Sequence, residues 1–215
     1  MPRLLALILS TMVLVGTGWH LSSLAFAQAP GASPSPSAEA ASLVDPKSPS
    51  APRMLFDFEG AEAADWSVEN DGVMGGRSKG YVEQSESTLV FTGEVVTEGG
   101  GFTSVRAPRR VDLSGYDGVE LRVRGGGRTF QLDVDDGTRS RGREVSRRGP
   151  VPTSDGWDTV RVPFTSLTAS AYGEPVRVDP VDRSAIQSIG MYIIDGQDGP
   201  FRLEVDWIRA YREAE

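Results

Sequence analysis

The chain has 215 residues, 22 Lys+Arg against 30 Asp+Glu, a formal net charge of −8, a single histidine (His20) and no cysteine. An acidic surface repels phosphate backbones, so nucleic acid is excluded as a partner. With no cysteine and no histidine beyond the N-terminal segment, Ser-His-Asp and Cys-His nucleophiles, disulfides and nitrogen- or sulfur-ligated zinc are excluded, whereas carboxylate, lysine or tyrosine chemistry and an oxygen-ligand Ca²⁺ site are not.

Arg3 precedes an apolar run from Leu4 to Val15, and Ala25-Phe26-Ala27 offers the small-residue site a signal peptidase enters. These features predict a signal peptide over 1–27 on an exported bacterial protein, periplasmic or extracellular, with no transmembrane segment after cleavage. The competing reading is an uncleaved anchor, which Gly16, Gly18 and His20 weaken. Residues 28–52 are dominated by Ala, Pro, Ser and Gly without an aromatic side chain. Such a stretch buries too little apolar surface to offset the entropy of ordering, and it reads as a disordered linker.

From Arg53 to Arg212 the dominant period is two, and 213–215 form a short tail. Val119, Leu121 and Val123 alternate with Glu120, Arg122 and Arg124, and Phe130, Leu132 and Val134 alternate with Gln131, Asp133 and Asp135. Both runs are predicted strands, and Gly125-Gly126-Gly127-Arg128 between them predicts a hairpin. The alternation returns at Val160, Val162 and Phe164, and at Phe201, Leu203, Val205 and Trp207. Met54 to Phe58, Thr88 to Val96, Phe102 to Arg106 and Ile189 to Ile194 bring the set to about eight short strands. Helix is expected only modestly, over Phe164 to Ala171 and in a turn near Asp182 to Gln187. The fold class is therefore all-β, one domain built as a two-sheet sandwich or jelly roll.

Two glycine-dense loops stand out. In Asn70-Asp71-Gly72-Val73-Met74-Gly75-Gly76-Arg77-Ser78, Arg77 occupies the place where a phosphate-binding loop needs lysine, and a strand follows instead of a helix, which excludes nucleotide. In Gly99-Gly100-Gly101-Phe102-Thr103-Ser104-Val105-Arg106, a flexible turn feeds a strand, with Phe102 as a core anchor. Structural turns explain both loops. As a functional edge, they would present Asn70, Asp71, Gly75, Gly76, Arg77, Ser78, Ser104 and Arg106 to a partner. Asp57 and Glu59 on the first strand and Asp206 on the last could converge on a structural Ca²⁺, the one cofactor left open, although solvated faces explain them equally well. Carboxylates are too abundant for any two to mark a glycosidase pair. Arg139, Arg141, Arg143, Arg147 and Arg148 form a local basic stretch that would suit an acidic partner surface or anionic lipid, or would simply be a solvated loop.

Taken together, Trp66, the 70–78 stretch, Phe91-Thr92-Gly93, Gly100 to Arg106, Leu113-Ser114-Gly115-Tyr116-Asp117-Gly118 and Gly199-Pro200-Phe201 resemble the complex I intermediate-associated protein family over nearly all of residues 54 to 211. The resemblance implies a galactose-binding-domain-like jelly roll. It also implies a non-enzymatic chaperone role in assembling the respiratory NADH:ubiquinone oxidoreductase, with protein partners among the subunits of that membrane complex. This chain differs in carrying Arg139 to Arg148 where members often have an aromatic-bearing segment, and in its export-like N-terminus. The alternative is a carbohydrate-binding module of the same fold; against it, the outward face of 119–135 offers no aromatic ring, although Tyr192 and Tyr211 could face outward.

Overall fold

The computed structural model describes residues 51–59, 64–85 and 87–213, so the expected signal peptide and nearly all of the linker lie outside the described residues. In chain order the strands are β1 (Arg53–Phe56), β2 (Ser67–Asn70), β3 (Lys79–Ser85), β4 (Thr88–Val95) and β5 (Thr103–Val111). Next come β6 (Gly118–Arg124), β7 (Thr129–Asp135), β8 (Arg139–Ser140), β9 (Arg143–Glu144) and β10 (Ser146–Pro152). The last are β11 (Asp158–Pro163), β12 (Thr168–Ala171), β13 (Glu174–Pro175), β14 (Ile186–Ile193) and β15 (Gly199–Tyr211). One sheet runs β11-β6-β15-β4-β3, with β1 also paired to β15; the other runs β13-β12-β10-β7-β14-β5-β2. A separate two-stranded ribbon joins β8 to β9.

The fold is the predicted all-β jelly-roll sandwich, and the alternation explains its core. Leu121, Val123, Phe91 and Leu203 from the first sheet and Phe130, Leu132, Met191 and Val105 from the second are all fully buried in one apolar cluster. The polar residues between them point to the outer faces.

Three local expectations are corrected. First, β6 and β7 are not a hairpin: β6 pairs with β11 and β15, and β7 pairs with β10 and β14. Both strands alternate because each turns one face to the same core, so the glycine connection crosses from one sheet to the other. Gly126 and Gly127 take φ of 63° and 80° in that crossing. Second, a register shift between Val205 and Trp207 reverses the phase of β15. Phe201, Leu203 and Val205 face inward before it, and Ile208 and Ala210 after it. Trp207 is therefore not a core residue; its ring lies under the Arg209 guanidinium at 4.1 Å. Third, the segment from Phe164 is only a 3₁₀ turn (Phe164–Ser166) followed by β12, not a helix to Ala171; the expected turn near Asp182 to Gln187 is present as a 3₁₀ turn (Arg183–Ala185) leading into β14.

Leu132→Ala is expected to cost about 2–5 kcal/mol, because it opens a cavity where the sheets meet. Tyr81→Ala, at an exposed position, should change stability by less than about 0.5 kcal/mol. Urea midpoints of the two variants check this.

Candidate functional site

The two glycine loops meet at Asp71, which opens a 3₁₀ turn (Asp71–Met74) directly after β2 and is fully buried. Its Oδ1 accepts from the Ser78 backbone N–H at 2.9 Å. Its Oδ2 accepts from the Ser78 hydroxyl at 2.6 Å, from the Gly101 N–H at 2.7 Å and from the Phe102 N–H at 3.3 Å. Ser78 Oγ in turn accepts from the Val96 N–H at 3.0 Å. A Cβ at Gly76 or Gly100 would run into the Asp71 carboxylate, so both loops need glycine there for close approach rather than for turning. Burial pushes the Asp71 carboxyl up, but the hydrogen bonds from Gly101, Ser78 and Phe102 outweigh it and hold the group below the usual carboxylate range.

Asn70 completes the join. Its Oδ1 accepts from the Gly80 N–H at 2.8 Å and the Thr103 hydroxyl at 2.6 Å. Ser104 is buried, its hydroxyl 3.4 Å from the Glu69 carbonyl. Asn70, Asp71 and Ser78, predicted as partner contacts, are thus turned inward and consumed in holding the loops, while Ser104 shares the outer phase of Arg106 on β5 but is covered there. Gly76 is half-buried, while Gly75 and Arg77 are exposed, and Arg77 pairs with exposed Glu98 across the two loops.

Arg106 belongs to a different assembly, on the outer face of the second sheet. Strand register places Thr168, Arg148, Asp133, Gly190, Arg106 and Ser67 in one row across six strands. Gly190 leaves the gap through which Arg106 reaches Asp133 Oδ2 at 2.6 Å, and the same guanidinium contacts Glu144 of β9 at 2.9 Å. Burial works against the charge of Arg106, but Asp133, Tyr192 and Glu144 outweigh it and keep the guanidinium protonated. Arg148 lies 3.6 Å from Asp133 Oδ1 and 3.7 Å from the centre of the Tyr192 ring, and Phe102 stacks on that ring at 6.1 Å. Phe102 is therefore part of this outer face, not a core anchor. Asp133 and Gly190 carry no local sequence motif, and nothing in the sequence near Arg148 or Tyr192 joins them to this cluster. The usable signal was their outward phase on strands whose apolar residues face inward.

The Ca²⁺ expectation is corrected. The terminal strands β1 and β15 do pair, but Asp206 is engaged by Arg122, and Asp57 accepts from the Glu59 N–H at 3.3 Å. Among the described residues no group of three or more His, Cys, Asp or Glu is placed to hold a metal ion. Tyr192 and Tyr211, which could face outward, have the outward phase on their strands, but Arg148 and Phe102 cover the first ring and Arg161 the second, leaving them 5% and 2% exposed.

Asp71→Asn places an amide NH₂ among hydrogen-bond donors and should cost about 3 kcal/mol. Because the folded-state pKa of Asp71 is depressed, its contribution is complete above the unfolded value of about 3.9 and is lost as pH falls through the folded value. The stability gap between wild type and Asp71→Asn, measured by urea unfolding across a pH series, should therefore narrow below about pH 4.

Among solved structures, the fold is similar to the family 11 carbohydrate-binding module of Clostridium thermocellum, with a TM-score of 0.56 at 15% identity, covering 76% of this chain and 97% of that one. It is also similar to a family 30 carbohydrate-binding module, with a TM-score of 0.52 at 18% identity, covering 76% and 99%. Identities this low speak to the fold alone. Curated relatives include "Complex I intermediate-associated protein 30, mitochondrial" of Mus musculus, 29% identical, the match covering 75% of this chain and 56% of that protein. A second is the probable mitochondrial protein of the same name in Caenorhabditis elegans, 26% identical, covering 75% and 54%. The chain spans about half the length of these relatives. Their mitochondrial designation overturns the expectation of an exported bacterial protein, periplasmic or extracellular, which rested on the N-terminal pattern alone. The family model for complex I intermediate-associated protein 30 matches residues 56–205, from β1 into β15 and across both glycine loops, and the chain belongs to that family.

Proposed function

We propose that this chain is a non-enzymatic binding protein that assists the assembly of respiratory complex I. The family match over residues 56–205 carries this reading, and relatives named for association with complex I intermediates support it. The state of the buried carboxylates agrees with it. Asp71 is held by backbone N–H groups and a hydroxyl, Glu120 by Arg161 and Arg209, and Glu204 by Arg124 and Arg202, and all three carboxyls lie below the usual carboxylate range. Carboxylates committed in this way hold structure together and are not poised to exchange protons with a substrate.

Glycan binding is the second reading, motivated by the carbohydrate-binding modules that share the fold. Tyr192 argues against the outer face of the second sheet as a sugar platform, since Arg148 and Phe102 already cover its ring.

Deleting the chain from its cells should lower assembled complex I several-fold on native gels, together with NADH:ubiquinone oxidoreductase activity, while other respiratory complexes keep their amounts. Normal complex I in the deletion would contradict the proposal.

A further inference from the structure

Among the described residues three non-glycine residues have positive φ: Phe58 at 56°, Arg141 at 52° and Tyr172 at 51°. Bulky side chains rarely adopt this region, and keeping them there costs of order 1 kcal/mol or more unless something offsets it. For Phe58 the offset is visible, because its ring is buried against Phe56 and Trp66. Arg141 and Tyr172 gain no such burial: Arg141 is exposed, and Tyr172 is 76% exposed.

The two exposed residues occupy equivalent places. Arg141-Gly142 is bracketed by the Ser140–Arg143 pair of β8 and β9, and Tyr172-Gly173 by the Ala171–Glu174 pair of β12 and β13. Each is a two-residue hairpin turn with both central residues at positive φ, Gly142 and Gly173 both at 80°. Asn, Asp or Gly ordinarily fills the first position of such a turn. The tips are neighbours, since the Arg143 guanidinium lies 5.2 Å from the centre of the Tyr172 ring.

On the outer sheet faces, guanidinium groups are matched to carboxylates, as in Arg122 with Asp206, Arg124 with Glu204 and Arg161 with Glu120. Arg139, Arg141 and Arg143 are exposed and form no ion pair among the described residues. Exposed arginines without an ion pair among the described residues also occur elsewhere, at Arg53, Arg110, Arg177 and Arg183, but this corner gathers three within five residues. One ribbon of a chain whose net charge is −8 thus carries three exposed cations, of which Arg143 lies against the open Tyr172 ring.

We propose that the paired tips of the β8–β9 and β12–β13 hairpins form a docking surface for an acidic, extended polypeptide segment of a partner protein. The unmatched arginines supply charge complementarity, and Tyr172 supplies a flat face for the segment's backbone and side-chain stems. Exposed Glu144 and Glu174 flank the tips. A broad anionic membrane would meet these carboxylates as well, whereas a narrow segment touches the tips alone. Addition of a strand at this edge is blunted, because β13 ends on Pro175, which has no N–H to donate. Recognition therefore runs through side chains. The inference goes beyond the assembly role and stands without it, because its test uses a defined peptide.

The experiment is fluorescence anisotropy of a labelled oligoglutamate peptide titrated with the full chain at low and at physiological salt. The parallel titration uses phosphatidylcholine vesicles containing phosphatidylserine. Wild type should bind the peptide, more weakly as salt rises. Arg139→Glu with Arg141→Glu and Arg143→Glu should weaken binding by about tenfold or more, with little change in melting temperature. Tyr172→Asn, which keeps all three arginines, should raise the melting temperature by about 1–3 °C, by suiting the residue to its turn, and yet weaken peptide binding. A merely structural role for Tyr172 predicts no loss of binding in this second variant. Failure of wild type to bind the peptide, equal binding by either variant, or tighter binding to the vesicles than to the peptide would overturn the proposal.

Discussion

One buried carboxylate organises the end of the sandwich where the chain changes sheets. Asp71 follows β2 of the second sheet, and Ser78 leads into β3 of the first; Val96 follows β4 of the first, and Gly101 and Phe102 lead back into β5 of the second. Both crossings converge on Asp71 and the Ser78 hydroxyl that it orients. Loop N–H groups at such a crossing have no ladder partner, and leaving them buried and unpaired would cost as much as losing the hydrogen bonds outright. A carboxylate answers that need because it accepts several hydrogen bonds at once and strengthens each with its charge. Glycine at positions 76 and 100 is the steric counterpart, admitting both backbones to the same carboxylate.

The second organising feature is how charge is distributed across the two sheets. Arginine and carboxylate alternate with the core residues along the strands, and strand register brings opposite signs side by side: Glu120 stands between Arg161 and Arg209, and Asp133 between Arg148 and, across Gly190, Arg106. Matched faces of this kind are screened and self-satisfied, and they offer little to a partner. Places where matching fails remain, at Arg53, Arg110, Arg177 and Arg183 and, three together, on the β8–β9 ribbon. The proposed docking surface lies at such a place, the β8–β9 ribbon, where exposed Arg139, Arg141 and Arg143 form no ion pair among the described residues.

Much of the fold was legible in the sequence, because Phe130, Leu132 and Val134, or Leu203 and Val205, alternate in the way only half-buried strands do. Sheet membership was not legible. The pattern of β6 and the pattern of β7 are identical whether the strands pair with each other or face each other across the core. The phase reversal at Asp206 was also hidden, because a bulge has no compositional mark and Trp207 is apolar enough to pass for a core residue. For the site, the two glycine loops were read correctly as special, but their polar residues were assigned to a partner. The hydrogen bonds that turn Asp71 inward come from N–H groups 30 and 31 residues away in sequence, and local reading does not bring those together. The arginine-rich stretch reads as a loop in the sequence, yet it forms β8, the tight turn holding Arg141, β9 and the start of β10, where Arg147 and Arg148 are drawn to Asp136 and Asp133 while the other three stay exposed.

An assembly factor differs from a permanent subunit in when it is bound, so timing tests the proposed role most directly. The measurement is a pulse-chase of newly made respiratory subunits resolved on native gels and probed for this chain. The chain should migrate with partly assembled complex I early in the chase and be absent from the finished enzyme. Its presence in mature complex I at the end of the chase, or at no stage with any complex I intermediate, would contradict the role proposed for it.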